Sequence, residues 1–312
     1  NLGWKDPVLN KGEHYAKTLK EIKAAVPDCR ERIALVSGFS QWVEWRTMIL
    51  AILRREKFFV MSEGSRGRWF MRPLVSVFAK AADKFALAVF ALGPFAYKQF
   101  ISAGVRRGKL VKFCYATLSL KKEHIISKKD ASCCTFVFAG EFCYRKGFDV
   151  LLVAWKRLHE ELVKTRLIVI GGCSNASLRI GVETVEDYLA YEGVEYLGKL
   201  PQEEVYSIMR RGDVIVLPSR YDPWGAALVE GANAGLAMIG SDMTGSAVEL
   251  INEGVNGFLA RAGDAESLYS RMKLYAANPA LAREHGINAQ GAARATDGNC
   301  LASEMIDALS GK

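Results

Sequence analysis

A basic pair, Arg145 and Lys146, stands in the segment Gly140-Glu141-Phe142-Cys143-Tyr144-Arg145-Lys146-Gly147, between the apolar run 135–139 and a helical pattern, FDVLLVAWKRL. A strand, a glycine turn, a cationic pair and a helix start can together bind an anion. Glycine admits close backbone approach, the first helical N–H groups are unpaired, and Arg or Lys adds charge. Taken alone, the pattern more often marks a solvated basic surface. The segment 218–235, PSRYDPWGAALVEGANAG, is richer. An apolar strand pattern ends at Pro218, a turn holds Asp222, Pro223 and Gly225, and a helix follows. The amides of Gly225, Ala226 and Ala227 open that helix without bulky side chains, which suits a phosphate or sugar oxygen. Asp222 precedes the helix and Glu230 lies about one and a half turns inside it. Carboxylates so placed suit sugar or ribose hydroxyl pairs, since each accepts from two OH groups. A third segment, LIVIGGCSNA, carries Gly171-Gly172 but has Ser174 and Asn175 where a dinucleotide fingerprint needs glycine. It reads as a tight strand-end turn bordering a cleft.

The elements that must hold these residues alternate along the chain. Short apolar runs predict strands at 32–37, 57–62, 85–91 and 110–114, then at 135–139, 167–170, 194–197, 214–217, 237–240 and 257–259. Helical patterns lie between them at 42–55, 148–162, 203–211 and 265–277. Such alternation predicts parallel sheets covered by helices on both faces, with ligands at the carboxyl ends of the strands. The Lys-rich stretch 119–132 (SLKKEHIISKKDAS) reads as a linker between two α/β domains.

Composition narrows the function classes. Of 312 residues, 50% are hydrophobic and 24% charged, which excludes a disordered or collagen-like chain. Seven Cys without a CxxC pair and four scattered His predict neither a disulfide framework nor a metal site. No apolar run approaches the roughly 20 residues that span a bilayer, and no signal-peptide pattern is present. The chain opens on Asn, which suggests a fragment or a processed product. Residues 1–130 hold 25 Lys and Arg against 11 Asp and Glu, a net of +14, while residues 131–312 carry −6. The basic half predicts an anionic lipid surface or a phosphorylated acceptor as partner, or simply a solvated face. Trp42, Trp45, Trp69, Phe70 and Phe78 lie among its cations and either pack in a core or insert at an interface. No helix-turn-helix, zinc finger or RNP-like pattern accompanies them, so nucleic acid is not an expected partner.

The phrase PSRYDPWGAALVEGANAG, with SDMTGSAVELINEGVNGFLA after it and FAGEFCYRKGFDVLLVAW and VEYLGKLPQEEVYSIMRRGDVIVLPS before it, resembles glycosyltransferase family 4. The likeness runs in unbroken order over about residues 135–274. It implies a GT-B fold, α/β with two Rossmann-like parallel-sheet domains, the N-terminal one short or truncated. The expected division is 1–131 for the acceptor side, 132–298 for donor binding, and 299–312 for a helix returning to the first domain.

By position, the resemblance implies that Lys146 contacts the donor diphosphate. The family's Arg after the loop Gly140 is Glu141 here, and Arg145 is the candidate replacement cation. Asp222 stands where most members carry a Glu that touches the transferred sugar. Glu230 matches the residue that binds ribose hydroxyls, and Gly225, Ala226 and Ala227 match the backbone facing sugar and phosphate. Gly198 and Leu200 border the base. Relatives place a His after an early acceptor-domain strand; here KFFVMS leads into Glu63, the acceptor-side candidate. The implied activity is metal-independent hexosyl transfer with retention, from a UDP- or GDP-linked sugar to a glycan or lipid-linked acceptor in surface polysaccharide biosynthesis. It needs no cofactor, and its expected place is the cytoplasm or the inner face of the cell membrane. The alternatives are a sugar-nucleotide epimerase of the same fold and a non-catalytic nucleotide-sugar-binding protein.

Overall fold

The computed structural model describes residues 33–38, 42–64, 72–115, 133–161, 164–172, 179–180 and 183–296. The expected linker over 119–132, the expected C-terminal helix over 299–312, and Trp69 and Phe70 lie outside the described residues. The chain divides into two compact units. One comprises Asn1–Phe90 with Phe100–Val111, and the other Ala91–Gln99 with Lys112–Lys312.

The first unit is built on a four-stranded sheet in the order β1 (Ile33–Val36), β2 (Lys57–Ser62), β3 (Val89–Leu92), β4 (Leu110–Phe113). Strand β1 runs parallel to β2, joined by helix α1 (Trp42–Arg54). Helix α2 (Arg72–Phe85) precedes β3, and α3 (Gly93–Ser102), most of which belongs to the second unit, follows it. The expected strand over 85–91 is therefore corrected: Phe85 ends α2 and the strand begins at Val89. A continuous apolar run carries no period that separates a helix end from a buried strand. Phe78 is fully buried and packs edge-on against Trp45 at 5.3 Å, so it belongs to the core rather than to an interface. Trp42 is 80% exposed.

The second unit carries a six-stranded, wholly parallel sheet. Its strands are β5 (Cys134–Glu141), β6 (Thr165–Gly172), β9 (Val194–Tyr196), β10 (Val214–Leu217), β11 (Ala237–Ser241) and β12 (Gly257–Ala260). A short antiparallel pair, β7 (Arg179–Ile180) and β8 (Glu183–Thr184), stands apart from it. The spatial order is β12-β11-β10-β5-β6-β9. The chain moves outward from β5 through β6 to β9, then returns to lay β10 on the other side of β5. The strand order thus reverses between β5 and β10, and such a switch point opens a crevice at the carboxyl ends. Every residue of β10 and β11 is buried, because helices cover both faces of a parallel sheet.

The connecting helices are α4 (Phe148–Glu161), α5 (Val185–Leu189), α6 (Gln202–Met209), α7 (Ala226–Asn233), α8 (Gly245–Leu250), α9 (Ala265–Ala277) and α10 (Pro279–Ala293). Helix α7 packs on β10 and β11, α10 packs on β11 and α7, and α4 packs on α9. The Asp264 side chain caps α9 by accepting from the Ser267 N–H at 3.0 Å. Among the described residues, no helix is long and apolar enough to cross a membrane.

Candidate functional site

Four neighbouring strands, β10, β5, β6 and β9, send their carboxyl-end loops to one edge of the sheet. Those loops carry Arg145, Lys146, Gly198, Leu200, Asp222 and Gly225, while Gly140 and Glu141 end strand β5 and Ala226, Ala227 and Glu230 lie in α7. The loop after β5 is short. Phe142 and Phe148 flank it and stack with ring centroids 4.1 Å apart and planes 5° from parallel. Between them Tyr144–Lys146 forms one 3-10 turn, closed by Gly147 in the left-handed region at φ 67. A Cβ at position 147 would run into the Pro218 carbonyl oxygen, so this glycine lets the β5 and β10 loops touch.

Arg220 locks the same two loops from the other side. Its guanidinium makes two 2.6 Å bonds to the Asp149 carboxylate and donates to the Tyr144 carbonyl at 2.9 Å. Its plane lies 3.7 Å from the Tyr144 ring centroid, and its backbone N–H donates to the Arg145 carbonyl at 2.9 Å. The Asp149 hydrogen bonds hold the guanidinium above its ordinary pKa.

Lys146 and Asp222 meet at the switch point. The Lys146 ammonium donates to Asp222 Oδ2 at 2.6 Å, with side-chain exposures of 17% and 9%. The Asp222 backbone is held on both sides: its N–H donates to the Met243 carbonyl at 2.9 Å and its carbonyl accepts from the Gly245 N–H at 3.0 Å. Three residues on, Gly225 takes the N-cap of α7 at φ 85. A Cβ there would come 2.6 Å from Thr244 Cγ2 and 2.8 Å from Leu217 Cδ2. No side chain caps α7, so the amides of Ala226 and Ala227 begin the helix without a side-chain acceptor.

Glu230 sits half-buried in the second turn of α7. Burial raises its pKa, and a hydrogen bond from the Gln202 side chain works against that rise. Tyr206, one helical turn beyond Gln202 on α6, also feels the Glu230 charge; burial pushes its phenol up, and its hydroxyl is buried with no partner among the described residues.

Gly140 and Glu141 are placed differently from the expectation. Strand β5 extends through both of them, pairing Gly140 with Gly171 and Glu141 with Gly172, so the turn begins only at Phe142. Eight residues of β6 support that extension in register. Glu141 is exposed and accepts a long thiol hydrogen bond from Cys143 at 3.8 Å. Gly198 lies in the loop between β9 and α6, and its carbonyl accepts from the Gly171 N–H at 2.8 Å. Leu200 follows and packs against the core. A cleft of about 290 Å³ opens here, lined by Gly140, Glu141, Gly171, Gly172 and Lys199. Glu63 lies in the first unit, half-buried at the end of β2.

Sequence reasoning missed Arg220, Asp149, Gln202 and Lys199. Arg220 and Asp149 sit inside the two phrases that drew attention, but nothing in either phrase announces a bond across 71 positions. Lys199 stands between Gly198 and Leu200, both singled out, and its cationic head beside a glycine was the available signal. Among the described residues no cluster of metal-ligating side chains occurs.

The profile of the family described as glycosyl transferases group 1 matches residues 121–292. The chain is 30% identical over 120 residues to the phosphatidylinositol N-acetylglucosaminyltransferase gpi3 subunit of Schizosaccharomyces pombe, covering 38% of this chain and 26% of that one. It is 29% identical over 153 residues to the lipopolysaccharide core biosynthesis mannosyltransferase LpcC of Rhizobium leguminosarum, covering 48% and 43%. The chain therefore spans less than half the length of these two relatives. In fold it is similar to Anabaena HepE in complex with UDP, with a TM-score of 0.73 at 19% identity over 89% of this chain and 79% of that one.

Proposed function

The chain belongs to the glycosyl transferases group 1 family, and from that premise we propose that it moves a sugar from a nucleoside diphosphate sugar to a glycan or lipid-linked acceptor. The observation that carries this reading is the meeting of Lys146 and Asp222 at the switch point of the second sheet, three residues before the uncapped start of α7. Bond breaking between sugar and diphosphate leaves negative charge on phosphate and positive charge on the sugar ring. A cation and free helix amides aimed at the phosphate stabilise that charge as it develops. On donor binding the Lys146 ammonium passes from Asp222 to the diphosphate, and the freed Asp222 carboxylate accepts from the sugar hydroxyls. These groups supply the charge stabilisation that other transferases take from a divalent metal. Glu230, held by Gln202, takes the ribose hydroxyls.

The acceptor oxygen bonds to the anomeric carbon on the face from which the diphosphate departs, with retained configuration, and the departing phosphate oxygen receives the acceptor proton, so no separate base is required. That stereochemistry follows from the family-4 resemblance. The first unit, with Glu63, takes the acceptor side, and its basic surface suits an anionic membrane at the inner face of the cell. Surface polysaccharide biosynthesis is the setting favoured by LpcC and by the O-antigen chain mannosyltransferase C of Escherichia coli, 27% identical over 176 residues. Glu141, a carboxylate where the resemblance expects a cation, favours a second reading in which the nucleotide sugar binds without turnover.

A thermal-shift panel of UDP, GDP, ADP, dTDP and CMP, followed by incubation of the corresponding sugar nucleotides with and without lipid-linked and glycan acceptors, tests the proposal. One diphosphate should stabilise the protein, and its sugar should appear on an acceptor. Stabilisation without product leaves the binding reading; conversion of the donor alone indicates epimerisation; no stabilisation by any nucleotide refutes donor binding.

A further inference from the structure

The cleft at the ends of β5 and β6 holds a charge arrangement that the donor site as drawn above does not use. Three of its five lining residues, Gly140, Gly171 and Gly172, present only backbone. The other two are an acid and a base, Glu141 and Lys199. Lys199 does not point away from this floor. A Cβ built on Gly172 would lie 3.0 Å from Lys199 Cε, 3.4 Å from Cγ and 3.7 Å from Cδ, so the lysine stem runs across the end of β6. Gly172 is the register partner of Glu141 on β5. Neighbouring strands lie about 4.8 Å apart, so the stem that crosses Gly172 is one strand spacing from the backbone of Glu141. Any side chain at 172 would displace it, and the glycine there is what lets the lysine lie down.

The charges then decide what this corner can hold. Lys146 is engaged by Asp222 at 2.6 Å, a pair with no net charge. Glu141 adds a negative charge at the mouth. A diphosphate carrying two or more negative charges calls for cations besides that pair; Arg145 stands in the turn after β5, and Lys199 is exposed in the cleft itself. An ammonium on a flexible stem binds phosphate as a point charge.

We propose that Lys199 is a donor-binding residue whose ammonium holds a phosphate of the nucleoside diphosphate in the cleft it shares with Glu141. This rests on the reading that the second unit binds a nucleoside diphosphate sugar. The Gly140-Gly171-Gly172 floor lets the nucleotide approach the backbone, and the connection from β9 into α6 then serves the donor twice, through Lys199 in the loop and through the bond from Gln202, the first residue of α6, to Glu230.

The test is calorimetric titration of UDP, GDP, ADP and dTDP, with the matching nucleosides as phosphate-free probes, into the full chain and its Lys199→Ala, Lys199→Arg and Glu141→Gln variants at low ionic strength. The diphosphate that binds wild type should bind Lys199→Ala about tenfold more weakly, the loss of one charge-assisted contact. Lys199→Arg should keep most of the affinity, and Glu141→Gln should bind more tightly than wild type. The matching nucleoside should bind wild type and Lys199→Ala alike, and an unchanged melting temperature without ligand shows that the variant is folded. Wild type that binds none of the four diphosphates overturns the donor-site reading and this proposal together. Wild-type binding with Lys199→Ala within twofold overturns this proposal alone. So does an equal loss of diphosphate and nucleoside, since that places Lys199 at the base or marks general damage.

Discussion

Replacing Lys146 by alanine strips the ammonium from a carboxylate that is 6% exposed as a residue. At the observed 2.6 Å and an effective dielectric of about 20, the gross attraction in this pair is about 6 kcal/mol. Desolvation of two mostly buried ions cancels most of that, so the pair as a whole adds little to stability. Breaking it is another matter, because Asp222 is left charged and unpaired while its backbone stays pinned to Met243 and Gly245. Removal of one partner from a buried pair costs about 3–5 kcal/mol, and the residual solvent access here argues for the lower end. A loss of about 3 kcal/mol lowers the melting temperature by about 6–12 °C in a unit of this size. Lys146→Ala/Asp222→Ala removes both charges and should recover more than half of that loss. Turnover should behave differently: both single variants and the double should lose about 10²–10³-fold in kcat, because the proposed function puts these groups at the diphosphate and the sugar whatever the stability. Denaturant melts give the coupling energy, and release of nucleoside diphosphate gives the rate. A coupling below about 0.5 kcal/mol would show that the two side chains do not act as a pair. Wild-type turnover in Lys146→Ala would falsify the phosphate role outright.

Glu230 offers a pH test. Its pKa is raised by burial, so the folded state binds more protons than the unfolded one above the ordinary carboxylate range, and stability falls as pH rises through the raised value. The melting-temperature gap between Glu230→Gln and wild type should therefore widen in favour of the variant from pH 4 to pH 7, while the donor KM rises; a constant gap would remove the burial argument, and an unchanged KM the ribose assignment. For Arg220, the bidentate bond to Asp149 and the bond to the Tyr144 carbonyl are worth about 2 kcal/mol together at partial burial. Arg220→Lys should lose most of that and weaken nucleoside diphosphate binding, because a single ammonium cannot span both partners; wild-type stability in Arg220→Lys would mean the clamp does not hold the loop.

What the sequence disclosed, and what it hid, divides along one physical line. Strand β10 and helix α9 have the bounds read from the sequence, since a four-residue apolar run before Pro218 and a capped 13-residue pattern after Asp264 are both set by near neighbours. The carboxyl-end loops were legible for the same reason: Gly147, Gly225 and the basic pair are punctuation within a few residues. Elements fixed by distant partners were not legible. Strand β5 runs on to Glu141 because β6 is there to pair with Gly140 and Glu141, and no local signal in GEFCYR reports that neighbour. The boundary between α2 and β3 falls inside one apolar run, where only packing chooses. The site shows the same division more sharply. Each half of the Lys146–Asp222 pair was found in its own phrase, but the bond crosses 76 positions and exists because the strand order reverses between β5 and β10. Lys199 is the extreme case: it stands between two residues of the phrase VEYLGKLPQEEV without being marked by it, and its place over Gly172 follows only from β9 lying beside β6. A cation in that position can compensate for a carboxylate on β5 without leaving any trace in the phrase where the carboxylate stands. The charge reversal at Glu141 therefore cannot be judged from its own segment. It has to be weighed against what the sheet brings next to it, and the sheet brings a lysine.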